Sequence, residues 1–339
     1  MGGSILRTFV FVLLAVIGVW AGQAPQPAQP APAQPAQSAQ PAQPAQPAVR
    51  RPPQGGTGPI RVMFATKAHS YDREALASTL DAMGTEISWS HVEHPAVPVF
   101  YDPKHAEMFD VFLFYDSIGR TKITKPDGSS EYGDPGPAAK KNLQALMQAG
   151  TKGMVFFHHA ISSWNRTWPE YSEMMGGACD WGSVPITFKG KEYPGSGAQG
   201  GIKQKITVVD KTHPITQGLG DGFEITDETY LCPYAPESVH PLLLTDFKAI
   251  DVNFPGRYAK GWRHPEVAGS NLSGWVKVAG RTPIAYIQHG HDKSAFENPA
   301  FQTLILNAIK WAASKDAKTW AAANAKTGTP AAWRPSGTN

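Results

Sequence analysis

A chain of 339 residues has room for one large or two small domains, and its formal net charge of +3, with basic residues dispersed, shows no electrostatic footprint for nucleic acid. Its two cysteines, Cys179 and Cys232, exclude a disulfide-dense fold and a metal centre built on thiolates alone. Export would let the two pair, but their separation in sequence does not decide it.

Residues 1–22 carry one basic residue, Arg7, then an apolar run from Phe9 to Trp20 and small residues. That run is too short and interrupted for a membrane span and reads as a secretory signal peptide, which places the mature protein in the periplasm or outside the cell. Left uncleaved, it would be a membrane anchor. Residues 23–58 repeat Pro, Ala and Gln with almost no charge and no aromatics, so they cannot bury enough apolar surface to offset ordering entropy and read as a disordered spacer. Residues 59–314 hold the folded domain, and 315–339 read as a fraying helix and tail.

Within the domain, Ile60 to Thr66 reads as a first strand, ending in a turn that carries His69. Asp72 or Ser70 caps the helix that follows through Leu80. Thr85 to Val92 reads as a strand near the sheet edge, and Phe109 to Tyr115 as a buried one. The Gly-, Asp- and Pro-rich stretch from Asp116 to Pro137 is long enough to be a functional rim. A helix from Ala138 to Ala149, closed by Gly150, leads into Gly153-Met-Val-Phe-Phe157, an apolar strand that stops at His158 and His159.

Strand and helix in alternation predict an α/β fold with three layers, a doubly wound, mostly parallel, flavodoxin-like sheet. A short helix is expected from Trp164 to Met175, broken by Gly176-Gly177. Alternating residues such as Ile202 to Val209 predict an antiparallel insertion beside that sheet. Phe223 to Tyr230 is extended and carries Asp227 and Glu228 near its end. Strands at Pro241 to Phe247, Gly274 to Ala279 and Thr282 to Gln288 follow, the last ending in His289-Gly290-His291-Asp292. The helix from Pro299 to Ala313 presents Phe301, Leu304, Ile305, Ala308, Ile309 and Trp311 to the sheet.

Three strands thus finish in histidine, at His69, His158-His159 and His289-His291. Ligands of such sheets sit beyond the carboxyl ends of the strands, so these turns mark a candidate site. Imidazole serves as a general base near neutral pH, and a carboxylate orients it or acts as the acid. The expected catalytic set is His159 as base or ligand, Glu228 as partner acid or base, and His291 held by Asp292. Asp292 fits helix capping equally well, and Asp227-Glu228 also fits turn chemistry. His69, His159, Glu228 and His291 together have the donor types of a zinc-like divalent site. His69, His158 and His289 are candidates to touch substrate; Trp164, Trp168, Trp181 and Tyr230 could form an apolar floor for a sugar ring, although for any one of them a place in the core or an interface is the better reading. His213, before a proline in a turn, reads as structural.

The order of Phe156-Phe157-His158-His159-Ala160, Trp168-Pro169-Glu170-Tyr171 with Gly176-Gly177, His213-Pro214-Ile215-Thr216, Asp227-Glu228-Thr229-Tyr230 and Gly290-His291-Asp292 resembles the trehalose-utilisation, ThuA-like family, which shares the fold of class I glutamine amidotransferases. Those amidotransferases carry a nucleophilic cysteine where this chain has His158-His159, and no Gly-x-Cys-x-Gly occurs here, so thiolate glutaminase chemistry is not expected. The resemblance implies carbohydrate catabolism: cleavage or isomerisation of a sugar or a 3-keto-glycoside supplied by a sugar-oxidising dehydrogenase. The alternative it leaves open is a non-catalytic module that keeps the pocket to bind carbohydrate or protein.

Overall fold

The computed structural model describes residues 54–67, 69–180, 186–193, 196–247 and 271–327. The expected signal peptide, the spacer up to residue 53, Trp181 and the tail beyond residue 327 lie outside them. No helix among the described residues is long and apolar enough to cross a membrane.

The chain opens with β1 (Gly55–Gly56) and β2 (Ile60–Lys67), then α1 (Arg73–Ala82), where the Asp72 carboxylate accepts from the Ala75 N–H at 2.8 Å as the capping pattern predicts. After β3 (Ile87–Glu93) and β4 (Val111–Asp116), the glycine-rich rim carries a small hairpin, Lys122–Thr124 against Ser130–Tyr132. α2 (Pro137–Ala149) ends on Gly150 at φ +64°, a left-handed cap that suits glycine, and β5 (Gly153–Phe157) follows with every residue buried. α3 (Pro169–Met175) starts five residues later than expected, because proline fits the first turn of a helix and not its interior.

The second half contributes β6 (Gly197–Val208), β7 (Gly222–Leu231), β8 (His240–Thr245), β9 (Leu272–Ala279) and β10 (Thr282–Ile287), then α4 (Pro299–Ala313) and α5 (Lys315–Asn324). The ten strands form one sheet in the order β1-β3-β2-β4-β5-β10-β9-β8-β6-β7. Strands β3, β2, β4, β5 and β10 are parallel; the remaining pairings are antiparallel. The antiparallel strands therefore extend the parallel half instead of forming an insertion beside it.

Alternate side chains of the central strands serve two cores, which is what makes the fold three-layered. Val111, Leu113, Val155 and Phe157 pack with Leu76 and Leu80 of α1 and with Phe301, Leu304 and Ile305 of α4. Phe112, Phe114, Met154 and Phe156 pack with Leu143 and Leu146 of α2 and with Tyr171 and Met175 of α3. Contact with α4 is so close at Gly153 that a Cβ there would overlap the Ala312 carbonyl. The segment after Ser314, expected to fray, begins as α5, which buries Trp320 against Trp311 at 5.8 Å between rings. Cys179 and Cys232 are joined in a disulfide with Cα atoms 5.1 Å apart, closing a separation of 53 residues.

His213 is structural, as its place before proline suggested: it is buried, and its Nδ1 accepts from the Ile215 N–H at 3.1 Å. Burial, with His240 nearby, pushes its imidazole from 6.5 down to about 3. The unfolded chain binds a proton below pH 6.5 that the folded chain refuses, so this contribution to stability is complete above pH 6.5 and is lost as pH falls toward about 3. At roughly pH 4.5 the loss should reach about 2 to 3 kcal/mol. Urea unfolding across that range should show it in the wild type and not in His213→Gln; equal slopes in both proteins would contradict the assignment.

Candidate functional site

Four segments bring the site together. His69 follows β2 and His158 follows β5, so both lie past carboxyl ends of parallel strands; His291 follows β10. Glu228 and Tyr230 come from β7, which is the far edge strand in hydrogen-bond order. It reaches the others because β6 slips register between Gln199 and Ile202, at Gly200-Gly201, and a bulge of this kind bends its strand pair. The distal part of the β6/β7 ribbon thereby meets the end of β10, where the Gln288 side-chain amide donates to the Thr229 hydroxyl at 3.0 Å.

His158 is buried at the centre, held at φ +53° at the start of the short 3-10 turn His158–Ser162. Its Nδ1 lies 3.0 Å from the Gln288 carbonyl oxygen, which only accepts, so Nδ1 carries a proton and Nε2 faces the cluster. Around Nε2 stand the Tyr230 hydroxyl at 2.7 Å, His291 Nδ1 at 3.0 Å and Glu228 Oε2 at 3.3 Å; Glu228 Oε2 is also 3.3 Å from His291 Nδ1. One ligand atom each from His69, His158, Glu228 and His291 lie within 4.8 Å of one another.

The electrostatics separate these groups by role. Burial works to raise the Glu228 carboxyl, but His158, His291 and Tyr230 outweigh it and hold it below its usual range, so Glu228 is ionised at neutral pH. Burial and the neighbouring His158 and His291 push His69 down to about 4. The Asp227 carboxyl, which burial would raise, is held at about 2 by His289, His158 and the backbone of Gly290. Asp227 accepts from the N–H groups of Gly290 at 2.6 Å, His291 at 3.0 Å and Asp292 at 3.0 Å, and so fixes the turn that presents His291. Gly290, at φ +122° in that turn, occupies backbone space open to glycine and strained for other residues.

The geometry brings Glu228, His291, His69, His158 and Tyr230 together and gives the other expected residues different surroundings. His159 is fully buried with neither ring nitrogen hydrogen-bonded; it stacks on His69 with rings 4.2 Å apart and supports that ring, while His158, whose nitrogen faces the cluster, takes the place expected of it. Asp292 stands 3.9 Å from His291 Nε2, too far for a hydrogen bond, and the work of holding His291 falls to Asp227. His289 is fully buried, with its Nδ1 3.7 Å from Asp227 Oδ2. Trp164 and Trp168 belong to the core under α2 and α3. Tyr230, Tyr234, Trp275 and Tyr286 are buried in the same core, around a small cavity that Cys232 and Gln288 also line.

Sequence reasoning named Asp227 without giving it a place in the site, and it missed Arg120. Arg120 lies on the rim expected to be functional, half-buried, close enough to Asp180, Tyr230 and Glu228 to feel their charge, and burial lowers its guanidinium. Its place in a Gly- and Asp-rich loop was the available signal.

No curated protein matches the chain. Among solved structures it is similar to a ThuA-like protein from Parabacteroides merdae, with 16% identity and TM-score 0.53 over 76% of this chain and 90% of that one. It is also similar to a ThuA-like protein from Bacteroides uniformis, with 18% identity and TM-score 0.48 over 83% and 98%. The first of these likenesses shows a shared fold. The family model described as ThuA, trehalose utilisation, matches residues 61–312, and with the sheet and motif order above it establishes that the chain belongs to the ThuA family.

Proposed function

We propose that this protein is an exported carbohydrate enzyme that acts on a sugar or 3-keto-glycoside at the cluster of His158, Glu228 and His291. The observation that carries the reading is the convergence of an ionised carboxylate and two imidazoles within 3.3 Å of one another, in a chain of a family described by trehalose utilisation. Glu228 is suited to remove a proton from a carbon next to a ketone, and His291, the more exposed imidazole, to protonate a departing glycosidic oxygen. Export is supported by the sequence of residues 1–22 and by the Cys179–Cys232 bond, which persists in oxidising compartments. A sugar-oxidising dehydrogenase is the partner that such a substrate requires.

The test is a screen of the purified protein against trehalose, other disaccharides and their 3-keto derivatives, followed by NMR in deuterated water. Loss of the anomeric signal, or exchange of the proton beside the ketone, is the expected result. Saturable sugar binding with neither product nor exchange would make the protein a binding module.

A further inference from the structure

We infer that His69, His158, Glu228 and His291 form a binding site for one divalent first-row transition ion. This names a cofactor for the same cluster, and it stands or falls on geometry that does not depend on the identity of the sugar. The spacing of the donor atoms carries it. His158 Nε2, His291 Nδ1 and Glu228 Oε2 make a triangle with edges of 3.0, 3.3 and 3.3 Å. A tetrahedral ion bound at 2.0 to 2.1 Å to nitrogen and oxygen separates its ligands by roughly 3.3 Å, so the triangle has the dimensions of one coordination face. His69 supplies the fourth donor inside the same 4.8 Å limit.

Protonation supports the assignment. The Gln288 carbonyl holds a proton of His158 on Nδ1, the outer hydrogen bond that metal-bound imidazoles characteristically make, and so turns Nε2 toward the cluster as the ligand atom. The Tyr230 hydroxyl lies 2.7 Å from Nε2, and His291 Nδ1, 3.0 Å from Nε2 and 3.3 Å from Glu228 Oε2, converges on the same point. Two imidazole nitrogens and a carboxylate oxygen converging on one point are together best satisfied by a cation. On coordination the Tyr230 hydroxyl turns to Glu228, which it already contacts. Three imidazoles and one carboxylate suit zinc, manganese or iron(II), and on a five- or six-coordinate ion they leave positions for sugar oxygens. The set differs from the one expected from sequence by taking His158 in place of His159, which is not part of the four-ligand cluster.

The experiment strips the full chain with chelator, titrates it with Co2+ alone, reads the visible absorption band, and then competes with Zn2+. One equivalent of Co2+ per chain, displaced by one of Zn2+, is expected. Because loss of an outer-shell partner alone weakens binding 10- to 100-fold, Glu228→Gln and His291→Asn should each weaken it by at least roughly 100-fold. His159→Phe, which keeps the ring stacked on His69, should bind Co2+ as the wild type does. Absence of saturable binding in a chain that still melts cooperatively would overturn the inference and leave the cluster as a proton relay, with the carbohydrate reading untouched. Equal loss in His159→Phe and Glu228→Gln would overturn the ligand set. Co2+ binding in a chain that turns over no sugar would sustain the site and count only against the proposed activity.

Discussion

Glu228→Gln should leave the fold in place and lower turnover of the sugar substrate by about 10²- to 10⁴-fold, the range typical of a positioned acid or base. The amide has the shape of the carboxylate, so the packing beside His158 and Tyr230 is retained. It cannot take a proton from carbon, and it places no charge 3.3 Å from two imidazoles. The comparison is of kcat/KM on the substrate that the screen identifies, with the thermal midpoint measured alongside. A variant active within threefold of the wild type would remove Glu228 from the chemistry whatever its position.

The second large effect lies one residue earlier, and it acts on the fold as well as the site. Asp227 is completely buried and accepts three backbone N–H bonds through two oxygens, Oδ2 from Gly290 and Oδ1 from His291 and Asp292. A side-chain amide at this position, in either orientation, would turn an NH2 group toward at least one of those N–H groups. Replacing a charge-assisted acceptor by a clashing donor should cost about 2 to 4 kcal/mol in Asp227→Asn. Urea unfolding at neutral pH measures it, and activity should fall with it because the turn holding His291 is released. An unchanged unfolding free energy would mean that the turn is held by something other than this carboxylate.

Asp227 and Glu228 also show how far sequence carries. Alternation of side chains marks Phe223 to Tyr230 as extended, and the histidines after β2, β5 and β10 mark which end of the sheet to inspect. That Glu228 meets His158 depends on the bend of the β6/β7 ribbon. Its sequence trace, Gly200-Gly201, announces a break and not a direction. The choice between His158 and His159 was closed to pattern reasoning for a related reason. Two neighbours after a strand exchange places if one residue takes a positive φ, and no rule assigns such a φ to histidine ahead of a structure. Buried aromatics and sugar-binding aromatics read alike in composition, so the sequence left both places open to Trp164 and Trp168, which lie in the core. The apolar stripe of α4 was fully legible, since helical periodicity alone selects its buried face.

The left-handed backbone at His158 sets stability against activity at a single position. A β-carbon in that conformation costs about 1 to 2 kcal/mol, which glycine would not incur. Relief of that backbone cost alone would favour glycine or asparagine there, and either would delete the central, fully buried imidazole. A programme to harden this scaffold should leave residue 158 alone and look for its improvements on the opposite face of the sheet.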